Sequence, residues 1–192
     1  MKINLKMNAI TAGKFALVAF TGILLVCIAQ ISVYVFSQKR EAHKVYELNK
    51  QLFPEAENFV SCTFTEQRKG VEYFEANNVK IKNEYFEVQD SGGLLIGYVI
   101  FVCGNGFFSE LPLYVAFSDT LQIRKVLLLS TKEIKGKRWE DSEMLKIFEG
   151  TTFPPPKSEN ELFDSVSGAT ITFNGIVEAV KGAISVLSDK GK

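Results

Sequence analysis

The sequence predicts an α+β protein, with one N-terminal transmembrane helix followed by an antiparallel-sheet domain with flanking helices. Three observations carry this prediction. An uncharged stretch of 24 residues lies between Lys14 and Lys39, β-rich segments separated by turns fill residues 58–130, and residues 171–187 carry a helical apolar stripe. With 192 residues, the chain is long enough for one such domain and its anchor, but not for a multi-domain enzyme.

The uncharged stretch, residues 15–38, is predicted to span a membrane as a helix. At about 1.5 Å per residue it exceeds the ~30 Å thickness of a bilayer core. A cleaved signal peptide is the alternative, but its apolar region would be only about 7–15 residues long and would end in a small-x-small cleavage site. The stretch instead ends in VFSQKR, so we expect an uncleaved anchor.

Basic residues flank both ends of this segment: Lys2, Lys6 and Lys14 on one side, and Lys39, Arg40 and Lys44 on the other. Because the positive-inside rule depends on a difference between the two sides, charge alone does not orient the helix. Inside the segment, Cys27 is interpreted as an apolar residue that faces lipid or a neighbouring helix and has no specific role. Gln30 indicates a contact with another membrane helix, since an amide in the bilayer requires a partner.

The domain after the anchor is predicted to hold five strands: residues 58–64, 84–89, 94–103, 111–118 and 121–130. The second and third form a hairpin, in which Gly92 and Gly93 are expected to supply positive φ angles between the two β-rich runs.

Three helices are predicted outside the membrane. Residues 40–52 form a helix that Pro54 ends, and residues 139–150 form a short helix ending at Gly150. Residues 171–187 close the domain, with a stripe of apolar residues on one face: Ile176, Val180, Ile184 and Leu187.

Charge and cysteine content exclude several functions. Residues 1–14 hold three of the 22 basic residues and no acid, so the remainder carries 19 bases against 22 acids, which argues against nucleic-acid binding. The three cysteines form no CxxC pair, and the one histidine, His43, lies apart from them, so a zinc site is not expected. The sequence offers no nucleophile paired with a base and no cluster of metal ligands, so we expect neither a self-contained hydrolase nor a metalloenzyme.

The chemistry of the chain is concentrated in DSVSGATITFNG, residues 164–175, just before the last helix. Ser167 is placed as the N-cap of that helix, which leaves Gly168, Ala169 and Thr170 in its first turn. Free N–H groups and the positive end of the helix dipole suit a phosphate there. An ordinary helix start explains the same residues, and the local physics alone favours that interpretation.

DSVSGAT resembles the D-x-x-[ST]-G-A-[ST] flavinylation motif of the FMN-binding domain in Rnf- and Nqr-type ion-translocating redox complexes. The N-terminal anchor, LFPEAENF (52–59), the element from Asp90 to Val99 and the closing helix follow the same order, so the resemblance covers roughly residues 14–187. The resemblance implies a covalent FMN on Thr170 through a phosphoester. Asp164, Ser167, Gly168 and Ala169 would form the frame that a flavin transferase recognises.

The resemblance also implies a function and a location. The chain would be an electron-carrying subunit of a membrane-bound, Na⁺- or H⁺-translocating oxidoreductase (a translocase), with no catalytic activity of its own. Its size is closer to that of the flavinylated Rnf subunit than to that of the larger Nqr relative. Its partners would be other membrane subunits of the complex. Residues 1–14 would be cytoplasmic, residues 15–38 would span the inner membrane once, and residues 39–192 would form the extracytoplasmic FMN-binding domain.

One segment departs from the family pattern. Family members carry an E-T-P-G-L-G loop beside the flavin, whereas this chain has KEIKGKRW, of which only Glu133 and Gly136 match. These two residues are the candidate contacts to the flavin ring, and a divergent subfamily is indicated. Two alternatives remain open, a membrane-anchored sensor or binding module without flavin and an extracytoplasmic flavoprotein outside any pump.

Cys62 and Cys103 are candidates for a disulfide if the domain is extracytoplasmic. We expect two buried free thiols instead, because Cys103 ends a strongly apolar strand, where a cysteine behaves as a small hydrophobic residue.

Overall fold

The computed structural model describes residues 2–64, 71–129, 132, 143–152 and 167–190, with the backbone alone for residues 2–13, 18 and 167–169. Two α-helices, a 3₁₀ helix and six strands make up the described chain. They are α1 (Lys2–Leu52), β1 (Asn58–Cys62), β2 (Tyr73–Ala76), β3 (Val79–Gln89), β4 (Leu95–Asn105), β5 (Glu110–Ser118), β6 (Ile123–Leu128), the 3₁₀ helix (Met144–Phe148) and α2 (Ser167–Asp189). The predicted α+β fold class is confirmed.

The chain divides into two compact units, Met1–Glu47 and Leu48–Lys192. Among the described residues, two helical segments are long and apolar enough to cross a membrane. In Lys14–Leu52, part of α1, the most apolar stretch is wholly exposed, as an anchor requires. In Thr170–Asp189, part of α2, 56% of the corresponding stretch is buried, so that segment is the core helix of the domain.

All strand pairs of the six-stranded sheet are antiparallel, in the order β1-β3-β4-β5-β6. Strand β2 also pairs with β3, so β1 and β2 follow one another along the same edge of that long strand. The turn from β2 to β3 consists of Asn77 and Asn78, whose φ angles are 53° and 61°. Asparagine tolerates this left-handed region better than most residues, which explains the pair at this turn.

Both faces of the sheet are covered, as the consecutive, fully buried residues Val99 and Ile100 show. One face packs against α2 and the 3₁₀ helix, where Phe117, Phe148 and Ile176 belong to one apolar cluster. The opposite face packs against the segment at the end of α1, through residues such as Phe53. Burial on two sides explains why β4 and β5 read as nearly continuous apolar runs.

The predicted strands and the β3–β4 hairpin are confirmed, with differences in detail. Only Gly93, at φ 79°, has a positive φ angle in the hairpin turn, so the prediction for Gly92 was wrong. The Asp90 side chain instead binds this turn, accepting hydrogen bonds from the backbone N–H groups of Gly92 and Leu94 at 2.9 Å each. Strand β2 and the first residues of β3 were not predicted.

The helices also differ from expectation. The helix that Pro54 ends is continuous with the membrane segment as α1. Of the helix predicted at 139–150, residues 139–142 lie outside the described part, and the rest forms only the 3₁₀ helix Met144–Phe148 before Gly150 at φ 76°. In α2, Ile184 is half-buried rather than part of the fully buried face.

Cys62 and Cys103 are free thiols, as expected, although Cys62 is only half-buried. Cys62 pairs with Tyr85 on one side of β3, and Cys103 pairs with Lys80 on the other. Two strand spacings of about 4.8 Å therefore separate them, in addition to an offset along β3. A disulfide requires Cα atoms within about 7 Å, so this register excludes the bridge.

Candidate functional site

The site begins at the first turn of α2, which starts at Ser167 in the structure, where an N-cap had been predicted. Helix ends are defined only to within one or two residues, so the two descriptions agree on where the helix begins. Thr170 is half-buried, and its hydroxyl makes no hydrogen bond to any described residue. The first turn carries no acidic residue that would repel an anion.

The other predicted site residues divide into two groups. Ser167, Gly168 and Ala169 share the first turn of α2 with Thr170, so the structure brings these four together in one place. Three further candidates, Asp164, Glu133 and Gly136, lie outside the described residues. Among the described residues, no cluster of three or more His, Cys, Asp or Glu side chains could hold a metal ion.

A close glycine contact sets the position of this end of α2. A Cβ atom added to Gly104 would lie 2.3 Å from the carbonyl oxygen of Gly175, and one added to Gly175 would lie 2.2 Å from that of Asn105. The backbone of α2 therefore touches the end of β4 directly, an approach that only glycine permits. On one flank of the helix, the ring of Phe173 packs 5.9 Å from that of Phe148 in the 3₁₀ helix.

Lys190 secures the other end of α2. Its ammonium lies 2.5 Å from the Glu87 carboxylate and over the rings of Tyr85 and Tyr98, at 4.3 and 4.6 Å from their centroids. Burial alone would lower the pKa of Lys190, but hydrogen bonds to Glu87 and Tyr85 outweigh it, so the pKa lies above the ordinary lysine value.

These two contacts give the direction of α2, which runs antiparallel to β4. Its end at Lys190 lies near Tyr98 at the start of that strand, and Gly175 lies at the strand's last residue, Asn105. Thr170 is therefore at the end of the sheet from which the β4–β5 loop emerges. That loop exposes two aromatic side chains, Phe107 and Phe108, whose ring centroids are 4.5 Å apart.

A cleft of about 440 Å³ opens beside this end of α2, and we call it the asparagine cleft. It is lined by Asn77, Asn78, Val79, Asn105, Ile171, Asn174, Gly175 and Glu178. The Asn105 side-chain nitrogen donates a hydrogen bond to the carbonyl oxygen of Asn78 at 3.0 Å and so ties the β2–β3 turn to the end of β4. The side chains of Asn77, Asn78 and Asn174 make no hydrogen bond within the described residues.

Sequence reasoning did not predict these asparagines as site residues. Asn77 and Asn78 could have been found from the sequence, because two adjacent asparagines between β-rich runs are typical of a tight hairpin turn. Asn174 stands four residues after Thr170 and therefore on the same side of a helix. Asn105 carries no local signal, since only the fold brings it to α2.

The arrangement fits a flavin mononucleotide. A hydroxyl without a described partner and the N–H groups of a helix start suit the phosphate end of that molecule. Carboxamides provide both donors and acceptors for its polar groups, while the exposed side chain of Ile171 provides apolar contact.

Comparison with known proteins bears on this fit directly. Residues 106–185 match the model of the FMN-binding domain family. This match confirms the predicted resemblance to an FMN-binding domain, and it runs from the β4–β5 loop into the last turns of α2, so it includes Thr170.

Solved structures that match the chain include the crystal structure of NqrC from Shewanella oneidensis. That match has 19% sequence identity and a TM-score of 0.48, and it covers 71% of this chain and 82% of the other. Comparison with curated proteins finds no match.

Proposed function

We propose that this chain is a membrane-anchored, electron-carrying subunit of a redox-driven, ion-translocating oxidoreductase complex of Rnf type, with FMN attached to Thr170 through a phosphoester. One observation carries the proposal. Thr170 lies within the match to the FMN-binding domain, at the first turn of a core helix, and its hydroxyl makes no hydrogen bond to any described residue.

The surrounding structure supports attachment at this position. The N–H groups of the first turn of α2, at Ser167, Gly168 and Ala169, can donate to phosphate oxygens, and the helix dipole favours their negative charge. FMN would supply transfer of one or two electrons. A covalent link keeps such a carrier in place while it exchanges electrons with successive partners.

The membrane segment supports the assignment to a complex. The exposed apolar stretch in Lys14–Leu52 has the length of an anchor, and it contains Gln30, an amide that would gain a hydrogen bond from a neighbouring membrane helix. We propose that residues 15–38 span the inner membrane, with 1–14 in the cytoplasm and 39–192 outside it. Reporter fusions placed after Lys192 test the side: activity restricted to the cytoplasm would contradict it.

Mass spectrometry tests the attachment. Trypsin is expected to release residues 158–181, the segment between Lys157 and Gly182, as one peptide containing Thr170. From cells that contain a flavin transferase, this peptide should carry one FMN group, and the full chain should fluoresce as a flavoprotein in a denaturing gel.

Two variants make the test specific. Thr170→Val keeps the shape of the side chain without its hydroxyl and should abolish covalent flavin completely. Thr152→Val makes the same change at an exposed threonine outside α2 and should leave the flavin content unchanged. An unmodified peptide from the unaltered chain, or equal flavin in both variants, would overturn the attachment at Thr170.

A further inference from the structure

One face of the membrane segment differs in chemistry from the face opposite it. Along α1, a shallow groove of about 510 Å³ is lined by six exposed residues, which we call the groove face: Val26, Ala29, Gln30, Val33, Tyr34 and Ser37. The opposite face presents exposed, bulky aliphatic side chains at the same depths: Leu24, Ile28, Ile31 and Val35. Lipid chains surround such aliphatic residues well, whereas polar side chains in a membrane are typical of contacts between helices.

The carboxamide of Gln30 is a polar group that α1 does not satisfy. The hydroxyls of Ser32 and Ser37 donate hydrogen bonds at 2.8 Å to carbonyl oxygens of the same helix, those of Ile28 and Tyr34. The side chain of Gln30, in contrast, makes no hydrogen bond to any described residue. Because hydrocarbon offers neither donors nor acceptors, this carboxamide requires a polar group from another molecule in the membrane.

The groove face continues along α1 to a cationic residue. Arg40 follows Val33 by two helical turns, so the two residues lie on the same side of the helix. The Arg40 guanidinium lies 4.6 Å from the ring centroid of Phe36 and forms no ion pair among the described residues. A positive charge without a counter-ion therefore stands on this side, about 15 Å beyond Gln30 along the helix.

We propose that the groove face packs against a membrane-spanning helix of a different chain, which carries a polar side chain opposite Gln30 and a carboxylate opposite Arg40. The inference rests on the membrane anchor of the proposed function and deepens it. Membership of a complex does not by itself determine which side of the anchor is used, or what that side requires of its partner.

Charge distinguishes a different chain from a second copy of this one. Two copies inserted with the same topology would pack in parallel and bring identical residues together at the same depth. Gln30 could then pair with its counterpart, but Arg40 would meet a second arginine instead of a carboxylate. Glu41, the first acidic residue after Arg40, does not compensate this repulsion, because it already pairs with Lys44 at 3.1 Å.

Depth distinguishes a protein helix from a lipid headgroup. A lipid phosphate could pair with Arg40 at the membrane surface. It could not satisfy Gln30, which lies nine residues, or about 14 Å along the helix, before Lys39, the first charged residue after the span. A partner that serves both groups must therefore cross the bilayer beside α1.

Photo-crosslinking of the full chain, in membranes of the cells that produce it, tests the proposal. A benzophenone amino acid replaces either Val33 on the groove face or Val35, a valine about 160° away around the helix. After irradiation, adducts are digested and mapped by mass spectrometry to the residues that they join. We expect Val33 to crosslink to a membrane-spanning segment of another chain, with at least about fivefold the yield of Val35.

Gln30→Leu, combined with the crosslinker at Val33, tests the role of the carboxamide. It should lower the yield of this adduct about fivefold, since the interhelical hydrogen bond is lost. Ser32→Ala is the matched control. It removes another polar group from the span, but one that is satisfied within α1, so the yield should not change.

Arg40→Glu tests the charge, and it should lower the yield of the Val33 adduct about threefold, because a carboxylate would then face a carboxylate. Lys39→Glu makes the same change in net charge one residue earlier, on another side of the helix, and should leave the yield unaltered.

The remaining outcomes separate this proposal from the proposed function. Equal yields from Val33 and Val35, adducts with lipid alone, or a yield that Gln30→Leu leaves unchanged would overturn the groove face as an interface. Adducts between two copies of this chain alone would overturn the assignment to a different chain. Release of the chain from membranes by alkaline carbonate would overturn the anchor and both proposals. Flavin on Thr170, measured in the same membranes, tests the proposed function alone.

Discussion

The two ends of α2 are held in different ways. At the C-terminal end, Lys190 combines an ion pair with Glu87 and contacts to two tyrosine rings, so its charged group has several partners. At the N-terminal end, the backbones of Gly104 and Gly175 approach each other closely, and this contact itself involves no side chain. Thr170 and three nearby asparagines consequently have no hydrogen-bonding partner for their side chains among the described residues.

This difference shows how a small domain can be rigid and still present polar groups to a ligand. Each side-chain hydrogen bond made within the fold is one fewer available to a ligand. Glycine packing positions the N-terminal end through close backbone contact, and the side chains of Thr170 and Asn174 make no hydrogen bond within the described residues. Stability at one end of α2 and binding capacity at the other thus depend on different residues, which separate substitutions can test.

The largest effect is expected from Gly175→Ala. The added methyl group would lie 2.2 Å from the carbonyl oxygen of Asn105, a backbone atom that cannot rotate away, so α2 must shift. Alanine is the better helix former, but we expect the cost of overpacking to exceed this gain. The free energy of unfolding should therefore fall by about 2 kcal/mol. Urea unfolding of the full chain in detergent, followed by circular dichroism, measures this loss.

Gly22→Ala is the matched control for that substitution. Gly22 also lies within a helix, but a Cβ atom there would meet nothing within 4 Å. The same change should therefore leave the urea midpoint of the domain unaltered. Equal effects of the two substitutions would show that the contact between α2 and β4 does not position the helix.

A smaller effect is expected from Lys190→Met, which keeps an apolar stem and removes the charge. The side chains of Lys190 and Glu87 are only 24% and 28% exposed, so their interaction is less screened than a surface pair. We expect a loss of about 1 kcal/mol in unfolding free energy. Lys181→Met is the control, since Lys181 and Glu178 are 47% and 42% exposed, and its effect should stay below about 0.5 kcal/mol.

The pH dependence of the Lys190 effect gives an independent check. A lysine whose pKa is raised by folding stabilises the fold fully below its unfolded pKa, and loses that contribution as pH rises through its folded pKa. The stability difference between the unaltered chain and Lys190→Met should thus be constant near neutral pH and shrink above the ordinary lysine pKa of 10.5. A difference that persists unchanged in strong alkali would contradict the role of the charge.

The smallest effect is expected from Asn174→Ala. Its carboxamide makes no hydrogen bond within the described fold, and alanine is the better helix former. The unfolding free energy without flavin should therefore stay constant or rise by about 0.5 kcal/mol. Thermal or urea unfolding of the flavin-free chain measures it, and a clear loss of stability would show that the Asn174 carboxamide does contribute to the fold.

The elements that sequence predicted well carry their signal locally. Strands β4 and β5 are apolar runs between turn residues, and α2 has a broad apolar face, so composition and spacing were sufficient. The β2–β3 hairpin escaped prediction because Lys80 and Lys82 make its second strand appear polar. The buried residues Val79 and Ile81, which alternate with these lysines, are the signal that identifies it.

The site was predictable only where it is contiguous in sequence. Thr170 and the three residues before it form one motif, so their shared position could be anticipated. The asparagine cleft joins residues from β4, the β2–β3 turn and α2, and the glycine contact joins two residues far apart in the chain. Such groupings depend on strand order and register, which no local pattern in the sequence contains.

The register that separates Cys62 from Cys103 has a consequence for electrochemistry. Burial raises the pKa of the Cys103 thiol, and the nearby Glu110 carboxylate raises it further, so this sulfur stays protonated at neutral pH and is a poor nucleophile. With the two sulfurs held on opposite sides of β3, no intramolecular thiol–disulfide couple can form between them within the folded domain. A voltammogram of the flavinylated domain would therefore carry no wave from this pair, and its faradaic current could be assigned to the flavin without a cysteine-free variant.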